Sequence, residues 1–110
     1  THTKDYSKAI ESYLMAADLD PASADTFFNL GFNYAAVKDY VHAENMFLRA
    51  TELEPPYLDE AIFNLAMVQY KQGKKQQCVE NLEKAIKVNP ENQRAHKYLN
   101  RFKIVTAGSQ

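Results

Sequence analysis

Residues 24–55 read ADTFFNLGFNYAAVKDYVHAENMFLRATELEP, and this stretch decides the fold. Phe27, Leu30 and Tyr34 lie three and four residues apart, so on a helix they share one face. Gly31 stands among them, where a second helix can approach closely. Ala43 and Phe47 have the same spacing further on, and Pro55 cannot continue a helix. The stretch therefore predicts two antiparallel helices joined at Lys38-Asp39.

The hairpin recurs. Pro21 precedes Pro55 by thirty-four residues and follows Ala9-x-x-x-Tyr13 and Ala16, the second half of an earlier unit. Downstream, Ile62-x-x-Leu65-Ala66, Cys78-x-x-x-Leu82, Ala85 and Pro90 make a further unit, thirty-five residues from Pro55 to Pro90. The extra residue falls in Pro56-Tyr57-Leu58. A large apolar residue, Leu-Gly or Leu-Ala, an aromatic, a small residue and a closing proline, in that order and period, resemble the tetratricopeptide repeat pattern over nearly the whole chain. The resemblance implies an all-α fold, an alpha-alpha superhelix or solenoid of helical hairpins. The expected divisions are 1–23 (second half of a repeat), 24–57 and 58–92 (complete repeats), 93–105 (capping helix) and 106–110 (tail). Because the chain opens with half a unit at Thr1, a partner helix is expected upstream in a longer protein.

Local signals set the expected helix ends. The first helix runs over 1–19 with Tyr6, Ala9, Ile10, Tyr13, Leu14 and Ala17 on its apolar side, and Asp20-Pro21 ends it. Ser23 caps a helix reaching about Val37. The families that share this pattern place glycine in the intra-repeat turn. Gly73 fits, but Lys38 does not, and a left-handed non-glycine residue there costs roughly 1 kcal/mol. Later helices are expected over about 59–72, 75–88 and 91–105, the last with Ala95, Tyr98, Leu99, Phe102 and Val105 inward and Arg94, Lys97, Arg101 and Lys103 outward.

Composition bounds the function. The 110 residues are 45% hydrophobic and 25% charged, ordinary for a globular chain. No apolar run approaches the roughly 20 residues of a membrane span, and no signal peptide opens the chain. One cysteine cannot form an internal disulfide, which favours a reducing, cytoplasmic setting. A net charge of -1 excludes general nucleic-acid affinity. The charge is divided, however. Residues 1–60 carry eleven acidic and four basic side chains, and residues 61–110 carry three acidic and nine basic. In a linear array that gives an acidic end and a basic end.

Nothing in the sequence points to catalysis, a cofactor or a metal. His2, His42 and His96 fall in different elements without paired ligand spacing. Cys78 takes the small-residue position that Ala9 and Ala43 fill elsewhere, so it reads as a buried small hydrophobe. Phosphate loops and nucleophile elbows are absent.

The resemblance implies instead a protein or peptide partner, bound on the concave surface lined by the first helices of successive repeats. Residues on those helices that face away from their hairpin partners are Asp25, Phe28, Asn29, Phe32 and Ala36, then Glu60, Phe63, Asn64, Met67, Tyr70 and Lys71, then Arg94, Lys97, Arg101 and Ile104. Aromatic and Met side chains at such positions mark an interaction surface. The expected peptide-binding set is Phe28, Asn29, Phe32, Phe63, Asn64, Met67, Tyr70, Lys97 and Arg101. Phe28 and Phe32 have a second reading, packing against the helix expected upstream, and Phe63, Met67 and Tyr70 could pack between neighbouring first helices. Asn29 and Asn64 hold equivalent positions suited to a peptide backbone. Some tetratricopeptide co-chaperones grip a heat-shock protein's C-terminal carboxylate with Lys, Asn and Arg. Here Phe28 and Phe32 stand where Lys and Asn would be needed, the last helix offers Arg94 but Tyr98, and Asn64 alone matches well, so the resemblance does not extend to that clamp. Two further readings follow: self-association head to tail through the uncovered first helix, and service as a regulatory domain of a larger multidomain protein.

Overall fold

The computed structural model describes residues 2–108, with side chains described over 5–103. Six helices account for the described residues: α1 (His2–Leu19), α2 (Ala24–Ala36), α3 (Tyr40–Glu52), α4 (Leu58–Lys71), α5 (Lys75–Val88) and α6 (Gln93–Gly108). Each packs chiefly on the next in chain order, giving an elongated body of 46 × 30 × 18 Å. The chain is an all-helical repeat array, as its periodicity predicts.

The ends of the helices follow from named residues. Ser23 Oγ accepts from Thr26 N at 3.4 Å and starts α2. Asp39 Oδ1 accepts from His42 N at the start of α3. Asn92 Oδ1 accepts from Ala95 N at 3.0 Å and starts α6, a cap that helix periodicity does not announce. Lys38 adopts φ 65° and Gly73 φ 82° in equivalent turns, so the lysine does stand in the left-handed region. Glu54 joins them at φ 49° just before Pro55. α6 runs to Gly108, three residues past the expected end, because Thr106 and Ala107 contain no breaker before that glycine. Residues 106–108 are thus helix rather than tail. Ile104 and Val105, like His2, lie outside the described side chains.

The core is three clusters strung along the array. Phe27, Leu30 and Ala50 bury against Ile10, Tyr13 and Ala17 of α1. Ala43 and Phe47 of α3 meet Leu65 and Val68 of α4. Ile62, Phe63 and Ala66 of α4 join Cys78, Leu82 and Ala85 of α5 and Ala95 and Leu99 of α6. No cluster spans the array, so stability passes from neighbour to neighbour. On α1 the apolar face is narrower than the pattern implies. Ile10, Tyr13 and Ala17 pack, whereas Tyr6 and Leu14 are exposed.

Polar side chains tie repeat to repeat. Glu44 of α3 accepts from Gln69 (3.1 Å), Gln72 (2.8 Å) and Lys74 (2.9 Å), and Gln69 Oε1 accepts from Asn81 (2.7 Å). Burial pushes the Glu44 carboxyl up, but the hydrogen bonds from Lys74, Gln69 and Gln72 and the Lys74 charge outweigh it and lower its pKa. Asp59 accepts from Asn89 (3.0 Å) and Asn92 (2.8 Å) in the same way, tying α4 to the turn between α5 and α6.

Candidate functional site

α2 and α4, the first helices of the two hairpins, and α6, which follows them, are linked in turn by side-chain contacts. Phe28 lies 5.0 Å from both the Phe32 and the Tyr57 ring centroids. Between α4 and α6, Phe63 meets Tyr98 at 5.7 Å and Tyr70 stacks on Phe102 at 4.4 Å and 18°. Arg94 of α6 donates to Glu60 of α4 at 2.5 Å. Of the expected binding set, Phe28, Phe32, Phe63 and Tyr70 take part in these ring contacts, and of those four Phe63 alone is buried.

Phe63 is only 3% exposed and belongs to the core. The reason lies thirty-odd residues downstream. The Arg94 guanidinium covers its ring at 4.5 Å from the centroid, and Tyr98 packs beside it. Phe63 is a floor, not a lining residue. Phe32, by contrast, is 48% exposed and Tyr70 is 40% exposed, with Met67 half-buried between them in sequence order. Phe28 is half-buried, its ring also edge-on to Phe47. So Phe28 and Phe32 rest on the second helix of their own hairpin.

Asn64 Nδ2 donates to the Glu60 carbonyl at 2.9 Å, one turn back on its own helix. That leaves its side-chain carbonyl to accept. Asn29 lines an open cavity at the α2–α4 junction together with Asp25, Phe28, Tyr57 and Glu60. Tyr57 is the residue that sequence reasoning missed. It sits in the one-residue insertion between Pro55 and Pro90, and its hydroxyl donates to Asp25 across the junction. Burial, then the hydrogen bond and the charge of Asp25, push the Tyr57 phenol up to about 12. It therefore stays a donor. The odd repeat length was the available signal.

On α6, the Arg101 guanidinium lies 5.1 Å and the Lys97 ammonium 6.0 Å from the Tyr98 ring centroid, both exposed. The other sequence candidates have structural explanations. His42 pairs with Asp39 at 2.8 Å and stacks on Tyr34, and His96 bonds the Pro90 carbonyl at 2.9 Å. Cys78 is fully buried. Among the described residues no three His, Cys, Asp or Glu side chains gather, and no helix is long and apolar enough to cross a membrane.

Comparison with known proteins fits this architecture. The family model described as "Tetratricopeptide repeat" matches residues 59–92, and a second, "TPR repeat", matches residues 3–38. The small glutamine-rich tetratricopeptide repeat-containing protein 2 of Mycosarcoma maydis is 29% identical over 90 residues, which are 82% of this chain. The chain spans about a quarter (25%) of that relative's length. Among solved structures, the first TPR of Spaghetti (RPAP3), bound to the HSP90 peptide SRMEEVD, superposes with a TM-score of 0.85 at 21% identity, covering 94% of this chain and 82% of that one. The second TPR domain of human RPAP3, in complex with the HSP70 peptide SGPTIEEVD, gives 0.82 at 24% identity, with 89% and 81% covered. Identities this low speak for the fold.

Proposed function

The chain belongs to the tetratricopeptide repeat family, and from that premise we propose that it is a non-catalytic protein-interaction module, a scaffold or adaptor. It takes a partner peptide or helix on the α2–α4–α6 face. The observation that carries this reading is the exposure of Phe32 and Tyr70 beside Phe28 and Met67 on that face. Phe32 and Tyr70 pack on Phe47 and Phe102 with one side only, and water solvates the exposed remainder poorly. Asn29 and Asn64 offer amides to the partner's backbone, and Lys97 and Arg101 attract an acidic flank. The similar RPAP3 domains were solved with acidic heat-shock peptides. This chain meets acid differently. The cation that α6 offers near the clamp position, Arg94, is engaged by Glu60 and Phe63.

The test is selection of binding peptides from a random displayed library on the 110-residue chain, followed by binding to Met67→Glu. Selected peptides should be apolar with an acidic end and should bind Met67→Glu at least about tenfold more weakly, the equivalent of about 1.4 kcal/mol. Far-ultraviolet circular dichroism should keep its shape with the melting temperature only moderately lowered, because Met67 packs against the α4–α5–α6 cluster but is half-buried. Full-strength binding to Met67→Glu removes this face as the site.

Self-association is a second reading, favoured by Met15 and Leu19, which are 68% and 87% exposed on α1. Head-to-tail contact would bring the acidic end of one copy to the basic end of the next. Its signature is mass that grows with concentration and falls with salt in light scattering. A monomer under all those conditions removes it.

A further inference from the structure

Two successive junctions on the α2–α4–α6 face follow one plan and are filled differently. Asp25, Glu60 and Arg94 hold the same position in α2, α4 and α6, thirty-five and thirty-four residues apart. Phe28 and Phe63 correspond in the same way. At the α4–α6 junction a carboxylate, a ring and a guanidinium close on one another. Arg94 donates to Glu60 at 2.5 Å and covers the Phe63 ring at 4.5 Å. At the α2–α4 junction the carboxylate is Asp25 and the ring is Phe28, but the place of the arginine is taken by Glu60, an anion.

The junction without its cation is open. Asp25, Phe28, Asn29, Tyr57 and Glu60 line a cavity of about 320 Å³. That is the low end of the roughly 300–1,000 Å³ of small-ligand sites, ample for one side chain. Tyr57 does part of what Arg94 does. Its hydroxyl bonds Asp25 and its ring packs on Phe28. A phenol brings a hydrogen bond and no charge, however, and no ion pair among the described residues reaches Asp25. A carboxylate accepts at about four positions, so one phenol leaves Asp25 capacity for further donors.

We propose that this cavity takes a cationic side chain of the partner, an arginine, with its guanidinium held against Phe28 between Asp25 and the Glu60 oxygen that the Arg94 pair leaves open. The internal Glu60–Arg94–Phe63 set shows that this fold accommodates a guanidinium in that relation to a carboxylate and a ring. Arginine suits the site better than lysine. Its planar group is weakly hydrated, stacks on rings and spreads five donors over two carboxylates and the Asn29 carbonyl. Together with Lys97 and Arg101 on α6, the cavity gives the face a direction. A bound peptide would lie with its basic residue at α2 and its acidic flank at α6. The inference rests on the α2–α4–α6 face being the binding face.

The experiment is a titration of the 15N-labelled 110-residue chain, followed by amide NMR, with acetyl-Gly-Arg-Gly-amide. The same peptide carrying citrulline, which keeps the shape and loses the charge, is the control. Saturable shifts confined to residues 25–29 and 57–60 are expected, with the citrulline peptide about tenfold weaker, as for loss of one charge-assisted hydrogen bond. Asp25→Asn should weaken the arginine peptide to a similar degree. Glu60→Arg, which supplies from within the guanidinium that Arg94 supplies one repeat later, should abolish the shifts while helicity is retained. Equal response to citrulline, shifts that survive Glu60→Arg, or no saturable shift overturns the proposal. The library selection tested with Met67→Glu and the arginine titration use different ligands, so loss of the peptide face and loss of the arginine site are read separately.

Discussion

A Cβ atom at Gly31 would stand 2.6 Å from Cε1 of Phe47, closer than side-chain carbons approach. The glycine lets α2 and α3 come together over a ring that is itself 1% exposed. Phe47 has no room to retreat, since Phe28 and Phe32 each stand edge-on to it at 5.7 Å. Gly31→Ala should therefore destabilise by up to about 2 kcal/mol. Overpacking of about 1–3 kcal/mol outweighs the gain of about 1 kcal/mol from alanine in a helix. The next repeat answers the same problem in reverse, with Ala66 in the glycine's place and Leu82 in that of Phe47. The double variant Gly31→Ala/Phe47→Leu should consequently lose less than the two single losses added, as urea denaturation would measure.

What could be read in the sequence, and what could not, divides along the range of the interaction. The α2–α3 and α4–α5 hairpins, the Gly31 approach, the left-handed Lys38 and the buried Cys78 depend on spacings within one repeat, and each is visible as periodicity. Exposure on the shared face depends on what the next repeat places over it. Phe63 and Phe32 look alike in sequence, but Arg94 and Tyr98 cover the first and nothing comparable covers the second. Asn64 resembles Asn29, but turns back to its own helix. Tyr57 escaped because an insertion has no equivalent in the neighbouring repeats to suggest its role.

Glu44 makes stability depend on pH. Its folded pKa is lowered, so its contribution is complete above the unfolded value of about 4.3 and is lost as pH falls through the folded value. Melting temperatures of the wild type and Glu44→Gln should differ at pH 7 and converge toward pH 3. Glu44→Ala should cost more at pH 7, about 1–3 kcal/mol, because the buried Gln69 amide loses its acceptor. A difference that is constant with pH would mean that the charge contributes nothing to the network.

Cys78 should be a silent thiol until the chain opens. It is fully buried between α4, α5 and α6, and burial pushes its thiol up to about 11. The thiolate is the reactive form, so at pH 8 both access and ionisation suppress attack. Ellman's reagent should modify the native chain far more slowly than the chain in urea, with a rate set by opening of that core. Leu82→Ala, which leaves a cavity beside it at a cost of about 2–5 kcal/mol, should accelerate the reaction sharply. Fast modification of the native wild type would mean that the α4–α5–α6 cluster opens locally.

Lys38 and Gly73 occupy equivalent turns with φ of 65° and 82°, and only one of them is glycine. A left-handed backbone costs a side-chain-bearing residue roughly 1 kcal/mol or more, whereas glycine enters it freely. Glycine also widens the unfolded ensemble, which returns part of that gain. Lys38→Gly should therefore stabilise by about 0.5 kcal/mol, raising the urea midpoint without changing the slope. Gly73→Ala should do the opposite and lose about 1 kcal/mol, although no atom lies within 4 Å of the added carbon. Because that site is sterically open, its loss isolates the backbone term from packing. The two substitutions thus measure one conformational cost from both directions, in the first complete hairpin and in the second. If Gly73→Ala lost stability while Lys38→Gly gained none, the lysine side chain would be recovering the cost of its turn through contacts of its own.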